Sequence, residues 1–403
     1  MTRGKVFVVG TFDTKEEELR YVADILRREG VEAVTVDVST VSPVGDVDID
    51  ANSVAKAHPA GREALFTSGE RGVAVAAMAE AAAAFFAHRE DVAGILGLGG
   101  SGGTTIVTAA MRALPLGVPK MVVSTVASGN IASYVDTSDI TMMYSVTDIA
   151  GLNRLSRSIL SNAAHGMAGM VRGEPPTVED DRPPIGLTMF GVTTPGVQKV
   201  TRLLQEHFEC QVFHATGPGG RAFEALAAAG MLDLLVDLTT TEVADHLMGG
   251  ICTAGPGRLD VLAATGIPWI GSCGALDMVN FGPRDTVPAH YADRQLHVHN
   301  QSVTLMRTSP EENARIGKWI ATKLNAARGK IHLLLPEGGL SMLDAPGQAF
   351  WDPEARKSLF DALEANFEQT AARQLHFVPY HINEDGFARQ VAELVRDVMG
   401  QSE

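Results

Sequence analysis

The sequence predicts an α/β protein with two Rossmann-like subdomains, each a doubly wound and mainly parallel sheet, that face one another across a cleft. Three observations support this prediction. The chain has 403 residues, more than one ordinary hydrophobic core accommodates. Short apolar runs alternate with segments of helical periodicity from the first residues onward. The same order of parts then returns in the second half, which indicates two related domains.

The first elements form a β-loop-α-β unit. Lys5–Gly10 is apolar and β-rich, Glu16–Arg28 has apolar residues at helical spacing, and Val34–Val38 is a second apolar run. Thr14 is the predicted N-cap of the helix, with Glu17 completing a capping box. Because two strands joined by a helix pair in parallel, we expect a parallel sheet.

A glycine-rich segment between a strand and a helix is the central feature of the first half. Ile95–Leu98 predicts a buried strand and Ile106–Leu114 a helix, and the glycines of the segment are Gly97, Gly99, Gly100, Gly102 and Gly103. Backbone N–H groups at such a helix N-terminus form an anion site, which the helix dipole favours. The alternative is a structural turn where two backbones pack closely. No lysine follows the glycines, so the segment matches neither the P-loop pattern nor a clean dinucleotide fingerprint.

Other polar segments of the first half are candidates for the same site. The strand Lys120–Ser124 ends in a small polar loop, residues 125–130, and ligands bind at the carboxyl ends of neighbouring strands in open α/β sheets. Residues 43–68 lack periodicity, and a loop of this length is usually functional or mobile. Arg71 precedes an Ala-rich helix, where it either holds an anion or is neutralised by Glu70.

The domain boundary is predicted at a proline-rich segment. Residues 172–184 contain four prolines without periodicity, which is typical of a linker. We therefore assign residues 1–171 to an N-terminal nucleotide-binding domain and residues 185–403 to a C-terminal domain for a substrate or partner. In the second domain the predicted strand Leu232–Leu238 runs into Thr-Thr-Thr-Glu-Val, where the first domain has its glycine-rich segment.

Two polar stretches of the second domain could carry chemistry. His297 and His299 alternate on a predicted strand and would share one face, with Arg307 as a further anion ligand. Two histidines at this spacing either ligate a metal or occupy an exposed strand face. The second stretch is a Gly- and Pro-rich loop whose polar side chains either take part in chemistry or cap turns, namely Glu337, Ser341 and Asp344.

Composition argues against several classes of function. The net charge of −15 argues against nucleic acid as a partner, since binding to its phosphates needs a basic face. Cys210, Cys252 and Cys273 have no C-x-x-C spacing, so we expect no disulfide framework, no thiolate zinc site and a reducing compartment. No apolar segment has the length of a membrane span. We expect a cytoplasmic protein and, at this size, a symmetric homodimer.

Several motifs together carry a family resemblance. VVGTFDTKEEE, ILGLGGSGGTT, STVASGN, HVHNQSVTLMRT and LSMLDAPGQAFWDPEA occur in this order along nearly the whole chain. In these motifs the chain resembles the Tm-one-like ATP-binding domain family, a widespread and mostly uncharacterised bacterial group. The resemblance implies two Rossmann-like subdomains and an ATP site with magnesium, built mainly by the first. It would use the loops Thr11–Lys15, Gly99–Thr104 and Ser124–Asn130, which the residue pattern alone favours only for an anion.

The predicted cofactor-binding residues are Thr11, Asp13, Thr14, Lys15, Gly99, Gly100, Ser101, Gly102, Gly103, Thr104, Ser124, Ser128, Gly129 and Asn130. Lys15 could pair with a phosphate as a point charge, and Asp13 could hold magnesium through water. The alternative is that Asp13 and Thr14 cap a helix while Lys15 is solvated. Asp136 and Asp148 are weaker candidates for metal or ribose contacts.

Three functions remain open at this point. The first is an enzyme that uses ATP and magnesium on a small carboxylated metabolite, with His299 as acid or base and His297 and Arg307 facing the substrate. The second is a non-enzymatic nucleotide- or metabolite-binding protein whose closure controls a partner. The third is a lyase or hydrolase that binds a phosphorylated or CoA-linked substrate in the glycine loop.

Overall fold

The computed structural model of the chain describes residues 4–41, 46–61, 63, 70–173 and 180–400. The chain divides into two units, Met1–Val178 and Glu179–Glu403. The segment predicted as a linker, 172–184, includes residues 174–179, which lie outside the described residues.

The first unit is built on one parallel sheet. Its strands are β1 (Lys5–Gly10), β2 (Ala33–Asp37), β3 (Val92–Gly99), β4 (Lys120–Ser124) and β5 (Thr141–Tyr144). Their order in the sheet is β2-β1-β3-β4-β5, and every neighbouring pair is parallel. Its helices are α1 (Phe12–Arg28), α2 (Ala51–Ala55), α3 (Arg71–Phe86), α4 (Ser101–Arg112), α5 (Ala132–Val135) and α6 (Arg154–Arg172).

Helices cover both faces of this sheet. Val6 and Val8 of β1 share a core cluster with residues of α1 and α6, whereas Phe7 and Val9 share one with residues of α3 and α4. Because successive residues of a strand point to opposite faces, a strand between two helical layers must be apolar at every position. The continuous apolar run in the sequence is therefore what a doubly covered strand requires.

The second unit contains a parallel sheet and a smaller antiparallel one. Its strands are β6 (Pro184–Met189), β7 (Glu209–His214), β8 (Leu234–Thr239), β9 (Trp269–Gly274), β10 (Met278–Phe281), β11 (Leu296–Asn300), β12 (Val303–Arg307), β13 (Ile331–Pro336) and β14 (Arg373–Val378). The sheets have the orders β14-β13-β9-β8-β6-β7 and β10-β12-β11. The helices are α7 (Thr194–Leu204), α8 (Pro218–Ala228), α9 (Thr241–Met248), α10 (Val261–Thr265), α11 (Pro310–Asn325), α12 (Pro353–Asn366) and α13 (Asp385–Val398).

Both parallel sheets have the same strand order. Counted from the first strand of each unit, that order is 2-1-3-4-5, and the second unit adds a sixth strand at one edge. This is the flavodoxin-like order of doubly wound sheets. The predicted fold class, two Rossmann-like subdomains on mainly parallel sheets, is confirmed. The antiparallel sheet was not predicted, because its strands of four or five residues are too short to show a clear period.

Two helices of the first unit begin earlier than the sequence predicts. α1 begins at Phe12 instead of Glu16 and is kinked at Lys15, where φ is −137° and ψ is 27°. The predicted capping box at Thr14 is wrong, since the Thr14 hydroxyl bonds to Thr11. α4 begins at Ser101 instead of Ile106. The positive end of the α4 dipole therefore lies at the glycines.

The sequence of the second unit predicts a capping box of Ser309 with Glu312 and a helix cap at Asn383. Ser309 and Glu312 form this capping box at the start of α11. Asn383 does not cap α13, whose N-cap is Glu384. The Asn383 side chain instead accepts from the Gly196 N–H and donates to the Val192 carbonyl, so it ties the last helix to the first helix of this unit.

Candidate functional site

The first unit has an open cavity at the switch point of its sheet. β1 and β3 are neighbours, and α1 and α4, which follow them, pack on opposite faces. Ligands of doubly wound sheets bind in the crevice at this point. A cavity of ≈ 500 Å³ is lined by Thr11, Asp13, Thr14, Lys15, Thr40, Val41, Arg71, Val75, Gly100, Ser101, Gly102, Gly103, Ile106 and Asp148.

The cavity brings together the first two of the three predicted loops. The predicted cofactor-binding residues that line it are Thr11, Asp13, Thr14, Lys15, Gly100, Ser101, Gly102 and Gly103. Gly99, Thr104 and Ser124 are not among the lining residues, nor are Ser128, Gly129 and Asn130, which are exposed on the loop after β4. Binding by any of these residues stays a prediction.

Thr104 and Ser124 are two buried residues whose hydroxyl groups hold the glycine segment in place. Both are fully buried, and their hydroxyl oxygens lie 2.6 Å apart. The Thr125 N–H also donates to the Gly99 carbonyl at 3.2 Å. These bonds fix the turn between β3 and α4 against the end of β4.

The glycines of the segment fall into two groups. A Cβ atom at Gly97 would lie 2.1 Å from Val107 Cγ1, and one at Gly99 would lie 2.4 Å from the Thr104 nitrogen. The nearest atoms to a Cβ at Gly100, Gly102 and Gly103 would be 3.8, 3.5 and 3.6 Å away. Close packing therefore explains the first two glycines, while the three that line the cavity have room for a side chain.

The first turn of α4 presents free backbone donors. Its N-cap is Gly100, which has no side chain to cap the helix. The N–H groups of Ser101, Gly102 and Gly103 have no hydrogen-bond acceptor among the described residues. These donors and the positive end of the helix dipole make this turn suited to an anion.

Two cationic side chains stand at the cavity. Lys15 donates from Nζ to the Ile149 carbonyl at 2.7 Å, which leaves an ammonium group with further donors. Arg71 is the first residue of α3 and is exposed. A cation at a helix N-terminus opposes the dipole unless it has an anion to pair with, so Arg71 is placed where a bound anion would stabilise it.

Two carboxylates line the same cavity. Asp13 donates its N–H to Ser39 Oγ at 3.1 Å, and its Oδ1 is a buried side-chain oxygen that has no hydrogen-bond partner among the described residues. Asp148 accepts from the Ile149 N–H at 2.8 Å. A negatively charged wall beside an anion-binding turn is an arrangement that a cation would stabilise.

Asp37 occupies the end of β2, the position at which many Rossmann proteins carry a ribose-binding acid. Here it is fully buried. Its Oδ1 accepts from the Phe12 N–H at 3.1 Å, the Ser39 N–H at 2.9 Å and the Ser39 hydroxyl at 2.5 Å. The Asp37 side chain therefore caps the first turn of α1. It also links the start of α1 to the segment after β2, and both segments border the cavity.

Sequence reasoning missed the apolar wall of the cavity. Val75 and Ile106 lie on α3 and α4, and Val41, whose exposed fraction is 77%, follows β2. The three residues come from separate segments, and each fits the ordinary apolar periodicity of its surroundings. Only the assembled sheet brings them together.

The second unit fills the corresponding crevice with its own side chains. Thr193, Thr239 and Thr241 are fully buried between β6 and β8. The hydroxyl oxygens of Thr193 and Thr239 lie 2.8 Å apart, and Thr188 donates to Asp237 at 2.7 Å. The polar residues on β6, on β8 and in the turn after β6 thus hydrogen-bond to one another.

The second unit also has a glycine-rich helix N-terminus, at α8, which an internal carboxylate occupies. Glu242 Oε1 accepts from the N–H groups of Gly217 and Gly220 at 2.6 and 3.0 Å. Its other oxygen accepts from Arg258 Nε at 2.9 Å. The buried Arg258 also pairs with Glu224 and Asp237 at 2.8 and 2.7 Å. Burial raises the pKa of Glu242 and of Glu224, while Arg258 opposes this shift.

The predicted catalytic residues lie on the antiparallel sheet. His297 is half-buried with its ring centroid 6.1 Å from that of Phe350, and His299 is exposed. The pairing of β11 with β12 shifts register between Val298 and Asn300, so the regular alternation expected of the two histidines is interrupted at His299.

Arg307 is buried on β12 and holds the backbone. Its guanidinium donates to the carbonyl oxygens of Phe350 and Thr308 at 2.8 and 2.9 Å and to the Thr308 hydroxyl at 2.8 Å. Bonds of this kind do not favour the predicted contact of Arg307 with a substrate. They are typical of an arginine that positions neighbouring loops.

The loop after β13 is also more buried than expected. Ser341 and Asp344 are fully buried. Ser341 Oγ donates to Asp277 Oδ2 at 2.7 Å, and Asp344 pairs with Arg356 at 2.9 Å. Burial raises the pKa of Asp277 to about 7, and the nearby Asp344 adds to this shift. These bonds hold the loop in place, whereas Glu337 is exposed.

Neither a metal cluster nor a membrane-spanning helix is present in the described ranges. No group of three or more histidine, cysteine, aspartate or glutamate residues is arranged to hold a metal ion there. None of the helices in those ranges is long and apolar enough to cross a bilayer.

Comparison with known proteins finds relatives over the whole chain. The N-terminal and C-terminal domain models of the uncharacterised protein family UPF0261 match residues 4–176 and 182–399. A UPF0261 protein of Rhizobium meliloti is 51% identical over 394 residues, 98% of this chain and 99% of the relative. One of Mesorhizobium japonicum is 52% identical over 96% of this chain and 98% of its own length. The ToMV resistance protein Tm-1(GCR237) of Solanum lycopersicum is 41% identical over 99% of this chain, which covers 56% of the tomato protein.

Proposed function

We propose a nucleotide-binding function for this chain, which belongs to the uncharacterised protein family UPF0261. The ligand binds in the cavity of the first unit through its phosphates, and ATP with magnesium is the expected form. The resemblance of the motifs suggests ATP, whereas the cavity itself supports a phosphate-bearing ligand.

The observation that carries the proposal is the second group of glycines. Gly100, Gly102 and Gly103 line the cavity, although the nearest described atoms to a Cβ at each, outside the adjoining helix backbone, would be 3.8, 3.5 and 3.6 Å away. Glycine within a helix costs about 0.5–1 kcal/mol relative to alanine, and packing does not explain that cost here. A ligand whose phosphate approaches the backbone closely does explain it.

Charge complementarity supports the same ligand. The positive end of the α4 dipole and the side chain of Lys15 both belong to the lining of the cavity. Arg71 supplies a second cation from the start of α3. Together these groups offer directional donors and two point charges, which is what a di- or triphosphate requires.

The size and the apolar wall of the cavity suit the rest of a nucleotide. A volume of ≈ 500 Å³ lies within the range of about 300–1,000 Å³ that is usual for small-molecule sites. Val41, Val75 and Ile106 form an apolar side on which a base or another apolar group would rest.

Magnesium fits the residues of this cavity. Asp13 has a buried oxygen without a partner in the described part of the chain, and hard cations prefer carboxylate oxygens. When bound, the metal would neutralise phosphate charge and orient the phosphate chain. Asp13, Lys15 and the start of α4 would then bind and orient the phosphates between them.

The more specific form of the proposal is an enzyme that uses ATP on a small carboxylated metabolite held by the second unit. His299 is exposed and His297 half-buried on β11, so both can reach a ligand there as acid or base. We further propose a cytoplasmic homodimer. Turnover of ATP that depends on an added carboxylated metabolite would support the enzyme, whereas tight ATP binding without turnover would support a regulatory binding protein.

A second candidate ligand is a phosphorylated metabolite without a nucleoside, as in the lyase or hydrolase hypothesis. Asp37 favours it, because the acid at the usual ribose position is buried and engaged by Phe12 and Ser39. The ribose hydroxyls would then lack their most common partner in this fold.

The test is calorimetric titration of the full chain with ATP, ADP, AMP and tripolyphosphate, with and without magnesium. The double variant Gly102→Ala/Gly103→Ala places two methyl groups in the cavity and should weaken binding at least about tenfold, or roughly 1.4 kcal/mol. Gly169→Ala is the matched control, since Gly169 lies in α6 and a Cβ there would meet no atom within 4 Å. It should leave affinity unchanged.

The outcomes separate the candidates. Binding of ATP that exceeds binding of tripolyphosphate, and its loss in the double variant alone, would support a nucleotide site. Equal binding of ATP and tripolyphosphate would favour the phosphorylated metabolite. Absence of binding for every phosphate compound would refute the proposal.

A further inference from the structure

We infer that a cavity of ≈ 310 Å³ in the second unit, beside the paired imidazoles of His332 and His376, binds a small organic ligand through a primary ammonium group. The walls of this cavity come from β13, β14 and α13. The site is separate from the cavity of the first unit, so the inference does not depend on the proposed phosphate ligand.

The two histidines lie on the sheet face that packs against α13. Leu334 and His376 are partners in the parallel pairing of β13 with β14. His332 lies two residues before Leu334, so all three side chains point to the same face. Leu334 shares a core cluster with residues of α13. Because β14 is an edge strand, both histidines are half-buried beside the helix and the cavity remains open.

The two imidazoles form one hydrogen bond. His332 Nδ1 and His376 Nε2 lie 3.1 Å apart, and the ring planes differ by 17°. This bond holds one proton, so two neutral rings leave one outer nitrogen protonated and the other with a lone pair. When His376 donates its Nε2 proton to His332, His376 Nδ1 can accept from a ligand. Burial lowers the pKa of both histidines, and the charge of His376 further lowers the pKa of His332.

The other polar groups of the cavity also suit a cation with N–H donors. Glu393 and Asp397 are exposed carboxylates one helical turn apart in α13, near the helix end at which the dipole favours positive charge. Gln390 Oε1 is buried without a hydrogen-bond partner among the described residues, which is costly for an acceptor removed from water. No lysine or arginine is among the described residues that line the cavity.

The walls favour an organic primary ammonium group over other cations. Leu334, Val378 and Leu394 provide an apolar surface for a hydrocarbon chain. Quaternary ammonium ligands are held by aromatic rings, and no Phe, Tyr or Trp is among the described lining residues. The described ranges contain no group of three or more metal ligands. A primary ammonium group has three donors, which can reach the imidazole, an amide oxygen and a carboxylate together.

The experiment titrates the full chain, labelled with ¹⁵N in its histidines, with 1,4-diaminobutane at pH 7.5. Long-range ¹H–¹⁵N NMR spectra show which imidazole nitrogens carry protons. Binding should shift the signals of His332 and His376 and leave His376 Nδ1 without a proton. The His376→Asn spectrum assigns these signals. Butane-1,4-diol and succinate are neutral and anionic compounds of similar length, and they should leave both histidines unchanged.

Two variants test the contacts with the diamine. Glu393→Gln removes one exposed charge and should weaken binding by up to about fivefold. His376→Asn removes the imidazole and should weaken binding about tenfold. Glu364→Gln and His207→Asn are the matched controls, because both residues are exposed in the second unit and neither lines the cavity. Circular dichroism checks that each variant is folded, and the surface variant Glu393→Gln decides the test if His376→Asn does not fold.

Acid should weaken the binding of the diamine. The charged groups that face the histidine pair are Lys330 before β13 and, on α13, Glu393 and Asp397. Protonation of the pair adds a positive charge beside the bound ammonium group, so affinity should fall about tenfold or more between pH 7.5 and pH 5. The fall should be smaller in His376→Asn, because the variant has only one of the two imidazoles.

Three results would overturn the inference. They are an equal response to butane-1,4-diol, unchanged diamine affinity in both Glu393→Gln and His376→Asn, and histidine signals that do not respond to the diamine. The Gly102→Ala/Gly103→Ala variant should bind the diamine like the wild type, since its changes lie in the first unit. Failure of every phosphate compound to bind would refute the proposed function and leave this inference intact.

Discussion

In the first unit the crevice between β1 and β3 is an open cavity, whereas in the second unit the crevice between β6 and β8 is filled by threonine side chains. The two sheets share one strand order, so strand order alone does not decide whether the crevice at a switch point is open. The difference lies in the residues that follow the third strand of each unit. Gly-Ser-Gly-Gly after β3 has almost no side-chain atoms to fill the crevice, whereas β8 ends at Thr239 and continues into Thr-Thr-Glu, whose threonine side chains are buried.

The glycine-rich helix starts show the same contrast. A Cβ at Gly102 would have its nearest neighbour at 3.5 Å, while a Cβ at Gly220 would lie 1.9 Å from Glu242 Oε2. The start of α8 therefore already binds a carboxylate of the chain itself, whereas no described side chain does so at the start of α4. Glycine at the start of α8 makes room for an internal carboxylate, whereas glycine at the start of α4 leaves the backbone accessible from the cavity.

The largest effect is expected from breaking the internal ion cluster of the second unit. Arg258→Met leaves Glu224, Asp237 and Glu242 buried without their counter-charge and should lower the free energy of unfolding by about 3–5 kcal/mol at pH 7. Urea unfolding followed by tryptophan fluorescence measures it, because Trp269, Trp319 and Trp351 all belong to the second unit.

The exposed Arg315 provides the control for this variant. Arg315→Met should change the free energy of unfolding by less than about 0.5 kcal/mol. A loss of under about 1 kcal/mol for Arg258→Met would show that the cluster is not the anchor of this unit.

The second-largest effect is expected at the start of α8, and it allows a direct comparison with the start of α4. Gly220→Ala forces Glu242 away from the start of α8 and should cost about 2 kcal/mol of stability in the second unit. It should leave the affinity for tripolyphosphate unchanged, since the cavity of the first unit is not touched. Fluorescence-detected unfolding and calorimetry on the same sample test both statements. A change in phosphate affinity would mean that the start of α8 takes part in binding.

A pH-dependent effect should also belong to the second unit. Burial raises the pKa of Asp277 to about 7 from 3.8, so between about pH 4 and 7 the folded state binds more protons than the unfolded state. Stability therefore falls as the pH rises through this window and levels off above it. Asp277→Asn should make that fall shallower by about 1 kcal/mol per pH unit. Burial shifts Asp245 in the same direction, to about 7, so a residual slope should remain.

The measurement for Asp277 is a series of urea unfolding curves between pH 5 and 8. Asp285→Asn, at an exposed aspartate of the same unit, should leave the slope of stability against pH as it is in the wild type. Parallel slopes for Asp277→Asn and the wild type would contradict a protonated Asp277 in the folded state.

The smallest effect is a stabilisation in the first unit. Gly102→Ala should raise the stability of α4 by about 0.5–1 kcal/mol, because alanine restricts the unfolded chain and meets no clash. Gly97→Ala should lower it, since its Cβ would lie 2.1 Å from Val107 Cγ1. Hydrogen exchange of the α4 amides measures both changes. A destabilising Gly102→Ala would mean that packing accounts for this glycine after all.

Part of the site could be predicted from the sequence because it depends on the local order of residues. The strand before the glycines, the helix after them and the polar turn at Thr11–Lys15 follow from residue order, and the structure brings these loops to one cavity. The apolar wall could not be predicted, because Val41, Val75 and Ile106 are ordinary apolar residues far apart in the chain. The burial of Asp37 could not be predicted either, since an aspartate at the end of β2 would fit a ribose-binding role equally well.

The residues alone determined the alternation of strands and helices, the parallel sheets and the place of the glycine segment between a strand and a helix. These features depend on periodicity and backbone chemistry, which are local. Only the tertiary structure decided which glycines face open space, which carboxylate occupies the start of α8 and which polar residues of the second unit are buried in mutual bonds. Those outcomes depend on what lies within a few ångströms of each atom, and such neighbours come from distant parts of the chain.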